Sequence, residues 1–279
     1  MRFEQIDLFP DAEKTYLKAY ICQDMPNFNN RRKAILILPG GGYGGVCDER
    51  EGDAIARAFL AAGFNAFVLK YSVKPYAAEF RPQIQALGTI KYIREHAEHF
   101  SIDPDYIFTI GFSAGGHLAG STGVFWKHPK VAEALGDISD GICRPTGMIL
   151  SYPVISSGEF AHRDSFLNLC GKDDATEDEM AAFSLENFVN SETPPAFIWH
   201  TFADTLVPVE NSLLMAGALR ENGVPFELHI YPEGEHGVSL ATPEVSGGET
   251  TKMHEHNRTW FDLALQWIDT VTPKKHFKF

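Results

Sequence analysis

One short stretch constrains the fold of this chain more than any other, because a strand-like run, a tight turn and a helix-like run follow one another directly. Residues 107–110 are β-branched or aromatic, as expected of a short buried strand. They lead into Gly-Phe-Ser-Ala-Gly, in which Gly111 and Gly115 let the strand and the helix approach closely. The pattern predicts that Ser113 is a nucleophile on a strained turn, presented at the start of a helix whose amide groups favour negative charge.

Strand-like and helix-like segments alternate along most of the chain. The run at 34–38 is continuously apolar, which is typical of a strand covered on both faces. Further strands are predicted at 64–71, 147–152, 196–200 and 226–231. Helices are predicted at 55–62, 82–100, 114–126, 211–222 and about 260–271. The alternation predicts an α/β fold with a mostly parallel sheet and helices on both faces.

Two regions depart from this alternation. The N-terminal residues predict two edge strands, at 2–8 and 15–21, and then a polar turn at 26–30. Residues 153–193 contain no clear strand and include an acidic run, so we interpret them as an insertion that covers the active site. Because no internal repeat or low-complexity segment is present, we expect a single domain over residues 1–279.

Composition and charge exclude several kinds of partner. Apolar residues make up 44% and charged residues 22% of the 279 residues, an ordinary balance for a globular protein with a sizeable core. The net charge of −13 argues against nucleic acid and anionic membranes, since both bind positively charged surfaces. The 4 cysteines are widely spaced without a C-x-x-C pair, which favours reduced thiols over disulfides or a metal site.

The sequence also carries no targeting signal that we recognise. The first residues hold no apolar segment of signal-peptide length, and no apolar run of about 20 residues follows. We therefore expect a cytoplasmic protein with no membrane partner. Homo-oligomerisation is left open.

A serine nucleophile needs a base, and the base needs an orienting carboxylate. With this kind of turn the chain order is serine, then Asp or Glu, then His. Asp204 follows the end of a predicted buried strand, where open α/β sheets bind ligands, and it is our candidate acid. The alternative is that Asp204 only caps a turn before the next helix. Asp173 and Asp174 are rival carboxylates, but they lie in a charged run typical of a solvated surface.

His236 is the candidate base. It lies in a loop directly after the last predicted strand, and Gly234 and Gly237 permit that loop to turn sharply. The alternative is an exposed loop histidine without a role. Of the other histidines, His117 lies one helical turn past the serine and is expected to pack in the interior, and His200 is expected to be a satisfied core histidine.

The oxyanion that forms when a serine attacks an ester needs N–H donors that are already in place. The backbone N–H of Ala114, the residue after the nucleophile, is one candidate donor. The second is expected from the glycine loop, residues 40–45, where Gly41 and Gly42 let the backbone approach the substrate. A phosphate-binding loop is the alternative, but the G-x-G-x-x-G spacing is absent and no Gly-Lys-Ser/Thr follows.

These motifs resemble those of the α/β-hydrolase superfamily over about residues 15–270. The resemblance is carried by Pro39-Gly-Gly-Gly-Tyr43, Gly-Phe-Ser-Ala-Gly-Gly-His117-Leu-Ala, Ser151-Tyr-Pro-Val154, His200-Thr-Phe-Ala-Asp204 and Val207-Pro-Val-Glu-Asn211. Within the superfamily they are similar to bacterial carbohydrate-esterase-like proteins related to acetyl-xylan esterases and often labelled lipase/esterase or sugar hydrolase. The resemblance implies the α/β-hydrolase fold and hydrolysis of short acyl esters without metal or cofactor, with Ser113, Asp204 and His236 as the triad. Pro39 stands where hormone-sensitive lipases have His.

The sequence therefore predicts a serine esterase that works through an acyl-enzyme intermediate on a small-molecule ester, an acetylated sugar or another short acyl ester. Tyr43 and His162 are the predicted substrate contacts. A peptidase or amidase with the same triad is the nearest alternative. A glycosidase would need two carboxylates flanking the bond and would leave the serine turn unexplained. A non-catalytic binding module is the remaining alternative.

Overall fold

The computed structural model describes residues 1–9, 15–23 and 31–272. Within them, eight strands form one sheet in the order β1-β2-β4-β3-β5-β6-β7-β8. The strands are β1 (Arg2–Ile6), β2 (Tyr16–Ile21), β3 (Arg32–Leu38), β4 (Asn65–Lys70), β5 (Ile102–Phe112), β6 (Gly147–Ser151), β7 (Ala196–Thr201) and β8 (Phe226–Tyr231). Strand β2 pairs antiparallel with β1 and β4, and all the other neighbouring strands are parallel. The predicted α/β class with a mostly parallel sheet is confirmed.

Helices cover both faces of this sheet. They are α1 (Ala54–Ala61), α2 (Arg81–Glu95), α3 (Ala114–Val124), α4 (Pro129–Leu135), α5 (Arg163–Cys170), α6 (Glu177–Ala181), α7 (Glu210–Glu221), α8 (Pro243–Ser246) and α9 (Glu255–Val271). Helices α1 and α9 share one apolar core with the sheet, and α2, α3 and α7 share the other. A π-helical turn, Glu49–Asp53, leads into α1.

Strand β3 shows why its apolar run is continuous. Its side chains alternate between the two cores: Ile35 and Ile37 pack on the side of α1 and α9, and Leu36 and Leu38 pack on the side of α2 and α3. All four are fully buried. A strand covered by helices on both faces has no solvent side, so it carries no polar alternation.

Several element boundaries differ from the sequence predictions. The segment predicted as a second edge strand becomes β2, which lies inside the sheet between β1 and β4. The helix predicted at 82–100 ends at Glu95, but its apolar stripe continues because Ala97 and Phe100 stay buried in the turns that follow. Helix α4 was not predicted. The polar turn predicted at 26–30 lies outside the described residues.

The sheet order places two loops next to each other at its centre. The chain passes from β3 outward to β4 and then returns to β5 on the other side of β3. The pairing of Leu38 with Gly111 aligns the carboxyl ends of β3 and β5. The glycine loop and the turn at Ser113 therefore meet at the point where the strand order reverses, which is where open α/β sheets bind ligands.

The insertion contains helices and turns but no strand, as predicted: residues 153–193 hold α5, α6 and the 3₁₀ turn Leu185–Asn187.

Across the described part of the chain, no helix is long and apolar enough to cross a membrane. The cysteines are free thiols.

Candidate active site

Ser113 lies on the turn between β5 and α3 with strained backbone geometry. Its φ of 56° and ψ of −122° fall in a region that residues other than glycine rarely adopt. Its N–H donates to the Ser151 carbonyl at 3.0 Å, and its own carbonyl accepts from the N–H groups of His117 and Val154 at 3.1 Å each. These bonds from two neighbouring elements hold the turn in its strained form.

Two glycines make this turn sterically possible. A Cβ on Gly111 would lie 1.9 Å from the Gly115 carbonyl oxygen, and a Cβ on Gly115 would lie 2.0 Å from the Leu38 carbonyl oxygen. Neither distance can be accommodated by a rotamer change, because both obstacles are backbone atoms. The predicted close approach of strand and helix at these glycines is confirmed.

The structure brings Ser113, His236 and Asp204 together in one chain of hydrogen bonds. His236 Nε2 lies 2.8 Å from Ser113 Oγ, and His236 Nδ1 lies 2.6 Å from Asp204 Oδ2. Because a carboxylate only accepts, the hydrogen sits on Nδ1, and Nε2 accepts from the serine hydroxyl. The loop that carries the ring turns through Gly234 and Gly237, whose φ angles are 121° and 81°.

Asp204 is fixed by its own loop before it meets the histidine. Its Oδ1 accepts from the N–H groups of Leu206 at 3.0 Å and Val207 at 2.9 Å, and its side chain is fully buried. Burial by itself favours the neutral carboxyl, but hydrogen bonds from His200 and His236 outweigh it and hold the pKa of Asp204 well below its usual range. The group is therefore an anion at neutral pH.

His200 and His117 are buried histidines whose ring nitrogens are all occupied. His200 Nε2 lies 2.9 Å from the Val207 carbonyl oxygen and 3.4 Å from Asp204 Oδ2, so its hydrogen is shared between these two acceptors, and its Nδ1 accepts from the Ser212 hydroxyl at 2.8 Å. His117 Nε2 donates to a main-chain carbonyl, and its Nδ1 accepts from the Tyr43 hydroxyl. Burial lowers the pKa of His117 to about 4. Both residues have the interior positions that the sequence predicted.

The glycine loop brings backbone N–H groups against the serine turn. A Cβ on Gly40 would lie 2.8 Å from the Phe112 carbonyl oxygen and 3.1 Å from Ser113 Cβ, so the loop packs tightly against the serine turn. The N–H groups of Gly41 and Gly42 donate to no residue in the described ranges. The N–H of Ala114, the first residue of α3, has no acceptor within the helix. Among the residues that the structure describes, the three predicted oxyanion donors thus have no hydrogen-bond acceptor.

Tyr43 does not lie where substrate contact would require it. Its side chain is 1% exposed, packs edge-on against the rings of Tyr71 and His117, and donates its hydroxyl to His117 at 2.8 Å. A phenol that is buried needs a hydrogen-bond partner, and here the partner is in the core. The prediction that the Tyr43 side chain contacts substrate is therefore corrected.

His162 lies beside the glycine loop instead. Its Cε1 would be 4.0 Å from a Cβ on Gly42, and its Nδ1 is 2.8 Å from Ser165 Oγ. Burial, and then the charge of His236, lower the pKa of His162. The half-buried ring is therefore within electrostatic range of the proposed base, a position compatible with the predicted substrate contact.

Sequence reasoning missed a link from the insertion to the glycine loop. Asn168 Nδ2, on α5, donates to the Gly42 carbonyl at 2.9 Å across a separation of 126 residues. Nothing in the sequence marks this contact, because one of its partners is a backbone group. The insertion therefore packs against the glycine loop.

Sequence reasoning also missed Glu51, whose buried carboxylate joins the glycine loop to Tyr152. Glu51 Oε2 accepts from the Gly40 N–H at 2.8 Å, and Glu51 Oε1 accepts from the Tyr152 hydroxyl at 2.8 Å. The Tyr152 ring lies edge-on to His236, with centroids 5.1 Å apart. The Ser-Tyr-Pro-Val motif was the one sequence signal that pointed to Tyr152.

Comparison with known proteins places this chain in a family. The family model described as BD-FAE matches residues 24–219. The chain belongs to the BD-FAE family. It is 40% identical over 245 residues to an endo-1,4-beta-xylanase B of Butyrivibrio fibrisolvens and 32% identical over 218 residues to an acetylxylan esterase of Xylanibacter ruminicola. These matches cover 84% and 77% of this chain but only 36% and 42% of the two relatives.

A solved structure is similar over almost the whole BD-FAE chain. It is an acetyl ester-xyloside bifunctional hydrolase from Caldicellulosiruptor lactoaceticus, with a TM-score of 0.80 and 37% identity. The match covers 95% of this chain and 92% of that one. Together with the strand order, it confirms the α/β-hydrolase fold that the motifs predicted.

Proposed function

We propose that this BD-FAE protein is a serine esterase that hydrolyses short acyl esters. The observation that carries the proposal is the continuous chain of hydrogen bonds from Ser113 through His236 to Asp204, with distances of 2.8 and 2.6 Å. A buried anion next to the histidine stabilises the imidazolium that forms when the serine gives up its proton. The names of the relatives, which include esterases, support the same activity.

The reaction proceeds by two acyl transfers. Ser113 Oγ attacks the ester carbonyl while His236 Nε2 takes its proton, and the resulting oxyanion accepts from the N–H of Ala114 and from Gly41 or Gly42. His236 then gives the proton to the departing alcohol, which leaves an acyl group on the serine. Water, deprotonated by His236, attacks that acyl group, and the serine takes its proton back as the acid is released.

We propose acetyl groups on sugars as the substrate class. The names of two relatives support it, since one is an acetylxylan esterase and the other an acetyl ester-xyloside bifunctional hydrolase. His162, beside the glycine loop, is the proposed substrate contact, because its ring is half-buried there and its Nε2 has no partner in the described part of the chain. A neutral imidazole in this place hydrogen-bonds to a sugar hydroxyl.

Glycoside hydrolysis is the second candidate, because the name of the Caldicellulosiruptor lactoaceticus enzyme includes a xyloside activity. A glycosidase needs two carboxyl groups that flank the bond, one of them as a proton donor. The buried carboxylates at this site, Asp204 and Glu51, both have their oxygens occupied by N–H or O–H donors. The geometry therefore favours ester hydrolysis.

The direct test is turnover of p-nitrophenyl acetate by Ser113→Ala. Because most of the rate acceleration in a triad depends on the nucleophile, we expect kcat to fall by roughly 10⁴-fold or more. Ser121→Ala is the matched control, since this hydroxyl is also buried on α3 and has no hydrogen-bond partner within the described ranges. Activity retained in Ser113→Ala would contradict the proposal.

The products released from acetylated xylo-oligosaccharides test the substrate class. We expect free acetate without new reducing ends. Release of reducing sugar at a comparable rate would show that the glycosidase alternative applies. Faster cleavage of aminoacyl arylamides than of acetyl esters would favour a peptidase or amidase.

A further inference from the structure

Glu51 is a buried carboxylate that the proposed reaction does not use. It is 3% exposed and forms no ion pair with any lysine or arginine of the described chain. Burying a charged group without a counter-charge is unfavourable unless hydrogen bonds replace the lost water. Both carboxylate oxygens do accept such bonds, and the two donors belong to different loops of the active site.

The first donor is the N–H of Gly40, at 2.8 Å from Oε2. The carbonyl of the same residue accepts from the Cys47 N–H at 2.9 Å. Both peptide planes that flank Gly40 are therefore fixed. Because a trans peptide points its N–H opposite to its C=O, this fixes the direction of the Gly41 N–H, one of the proposed oxyanion donors.

The second donor is the hydroxyl of Tyr152, at 2.8 Å from Oε1. That hydroxyl oxygen also accepts from the Ser239 N–H at 3.1 Å, and Ser239 follows His236 in the same loop. The Tyr152 ring itself lies edge-on to the His236 ring. Glu51 is thus connected to the loop of the proposed base through both the hydroxyl and the ring of one tyrosine.

The segment that carries Glu51 is itself irregular and anchored. It is a π-helical turn, Glu49–Asp53, and such turns inside helices are frequent at functional sites. Lys18 Nζ lies 2.5 Å from Asp48 Oδ2 and 2.9 Å from Asp53 Oδ1, so one cation holds both ends of the turn. This places the carboxylate of Glu51 on a rigid support.

We propose that Glu51 is a positioning residue that holds the glycine loop and the His236 loop in register with Ser113. The inference rests on the proposed function, because it assigns Glu51 a role in that reaction. Glu51 does not touch the substrate. It keeps the oxyanion donors and the base aligned with the nucleophile through Gly40 and Tyr152.

Glu51→Gln tests the proposal with little change in volume. The amide oxygen can still accept from the Gly40 N–H, but the NH₂ group cannot accept from the Tyr152 hydroxyl, so that donor loses its acceptor. We expect kcat for p-nitrophenyl acetate to fall by about tenfold to a hundredfold, while KM stays within about threefold, because alignment matters most in the transition state. Titration of active sites with a fluorophosphonate corrects kcat for any unfolded fraction.

Tyr152→Phe is the second variant, and it removes only the hydroxyl of the link. We expect a fall in kcat, again at nearly constant KM. If the two residues act as one link, the double variant loses no more activity than the worse single variant, whereas independent roles would give multiplied losses. Asp103→Asn is the matched control, since this carboxylate is also buried but lies at the opposite end of β5, and we expect kcat within twofold of wild type.

The outcomes separate the two proposals. If the wild-type protein hydrolyses no ester, the proposed function fails. If the wild type is active and Glu51→Gln retains kcat per titrated site within twofold, the inference about Glu51 fails and the proposed function stands. Multiplied losses in the double variant would equally overturn the link through Tyr152.

Discussion

At the scale of single residues, the site depends on which atom of each side chain carries a hydrogen. Asp204 accepts from two loop N–H groups and from the rings of His236 and His200, and it stays ionised. This fixes the His236 tautomer whose Nε2 faces Ser113. The strained turn at Ser113 presents the hydroxyl to that nitrogen. The geometry therefore supports the acyl transfer that we propose.

Asp204→Asn should disable the histidine while leaving the fold in place. The amide oxygen can keep the bonds to the loop N–H groups, but the NH₂ group then faces Nδ1 and favours the wrong tautomer. We expect kcat for p-nitrophenyl acetate to fall by roughly 10³- to 10⁴-fold. Asp173→Asn is the control, because that side chain is 88% exposed, and its kcat should stay within twofold. Equal losses in both variants would contradict the assignment.

His117 should make the protein less stable in mild acid. The unfolded chain takes up a proton near the ordinary pKa of 6.5, whereas burial keeps the native His117 neutral down to about 4. The free energy of unfolding therefore falls as the pH is lowered from 6.5 to 4. His117 contributes about 3 kcal/mol to this fall. Urea unfolding at a series of pH values measures this free energy. His117→Gln should show a smaller change over this window, and an identical change would contradict the prediction.

At the scale of elements, the site is made by loops at the carboxyl ends of neighbouring strands. The glycine loop follows β3, Ser113 follows β5, and Asp204 and His236 follow β7 and β8. The pairing of these strands brings the loop starts level with one another. Helix α5 of the insertion closes against the glycine loop through Asn168.

Gly115→Ala should break the contact between β3 and α3 that this arrangement needs. Its Cβ would lie 2.0 Å from the Leu38 carbonyl oxygen, so we expect a loss of more than about 3 kcal/mol in the free energy of unfolding. Gly217→Ala is the control on α7, where a Cβ meets nothing within 4 Å and helix propensity predicts a gain of up to about 1 kcal/mol. Thermal unfolding compares the two. A Gly115→Ala protein as stable as the wild type would contradict the close approach.

The residues that were predicted from sequence share a local signal. Ser113, Asp204 and His236 each follow a predicted strand, and glycines flank two of them. Glu51 and Asn168 could not be found in this way, because each bonds to a backbone group of the glycine loop, and such a bond leaves no side-chain pattern in the sequence. The Tyr43 prediction failed for a related reason, since a residue next to a functional loop can turn its side chain into the core. The interior place of β2 also depends on strand pairing, which local patterns do not encode.

At the scale of the whole molecule, one sheet and two apolar cores support the site. The two cores meet at β3 and β5, where the strand order reverses.

The chain spans less than half the length of the two curated relatives described above. The cytoplasmic location stays a prediction.

We propose that residues 1–279 form a single folding unit. Every strand of the described residues belongs to one sheet, so loss of either core exposes the other. We expect a single cooperative transition in calorimetry, with equal calorimetric and van't Hoff enthalpies. Two separable transitions would contradict the prediction.

Stoichiometric labelling by a fluorophosphonate decides whether Ser113 is the nucleophile of a serine hydrolase, as we propose. The probe forms a stable adduct only with a serine that is activated by its neighbours. We predict one label per chain, located by mass spectrometry on the peptide that contains Ser113, and none in Ser113→Ala. A wild-type protein that takes up no label, or a label that persists in Ser113→Ala, would contradict the assignment of Ser113 as the nucleophile.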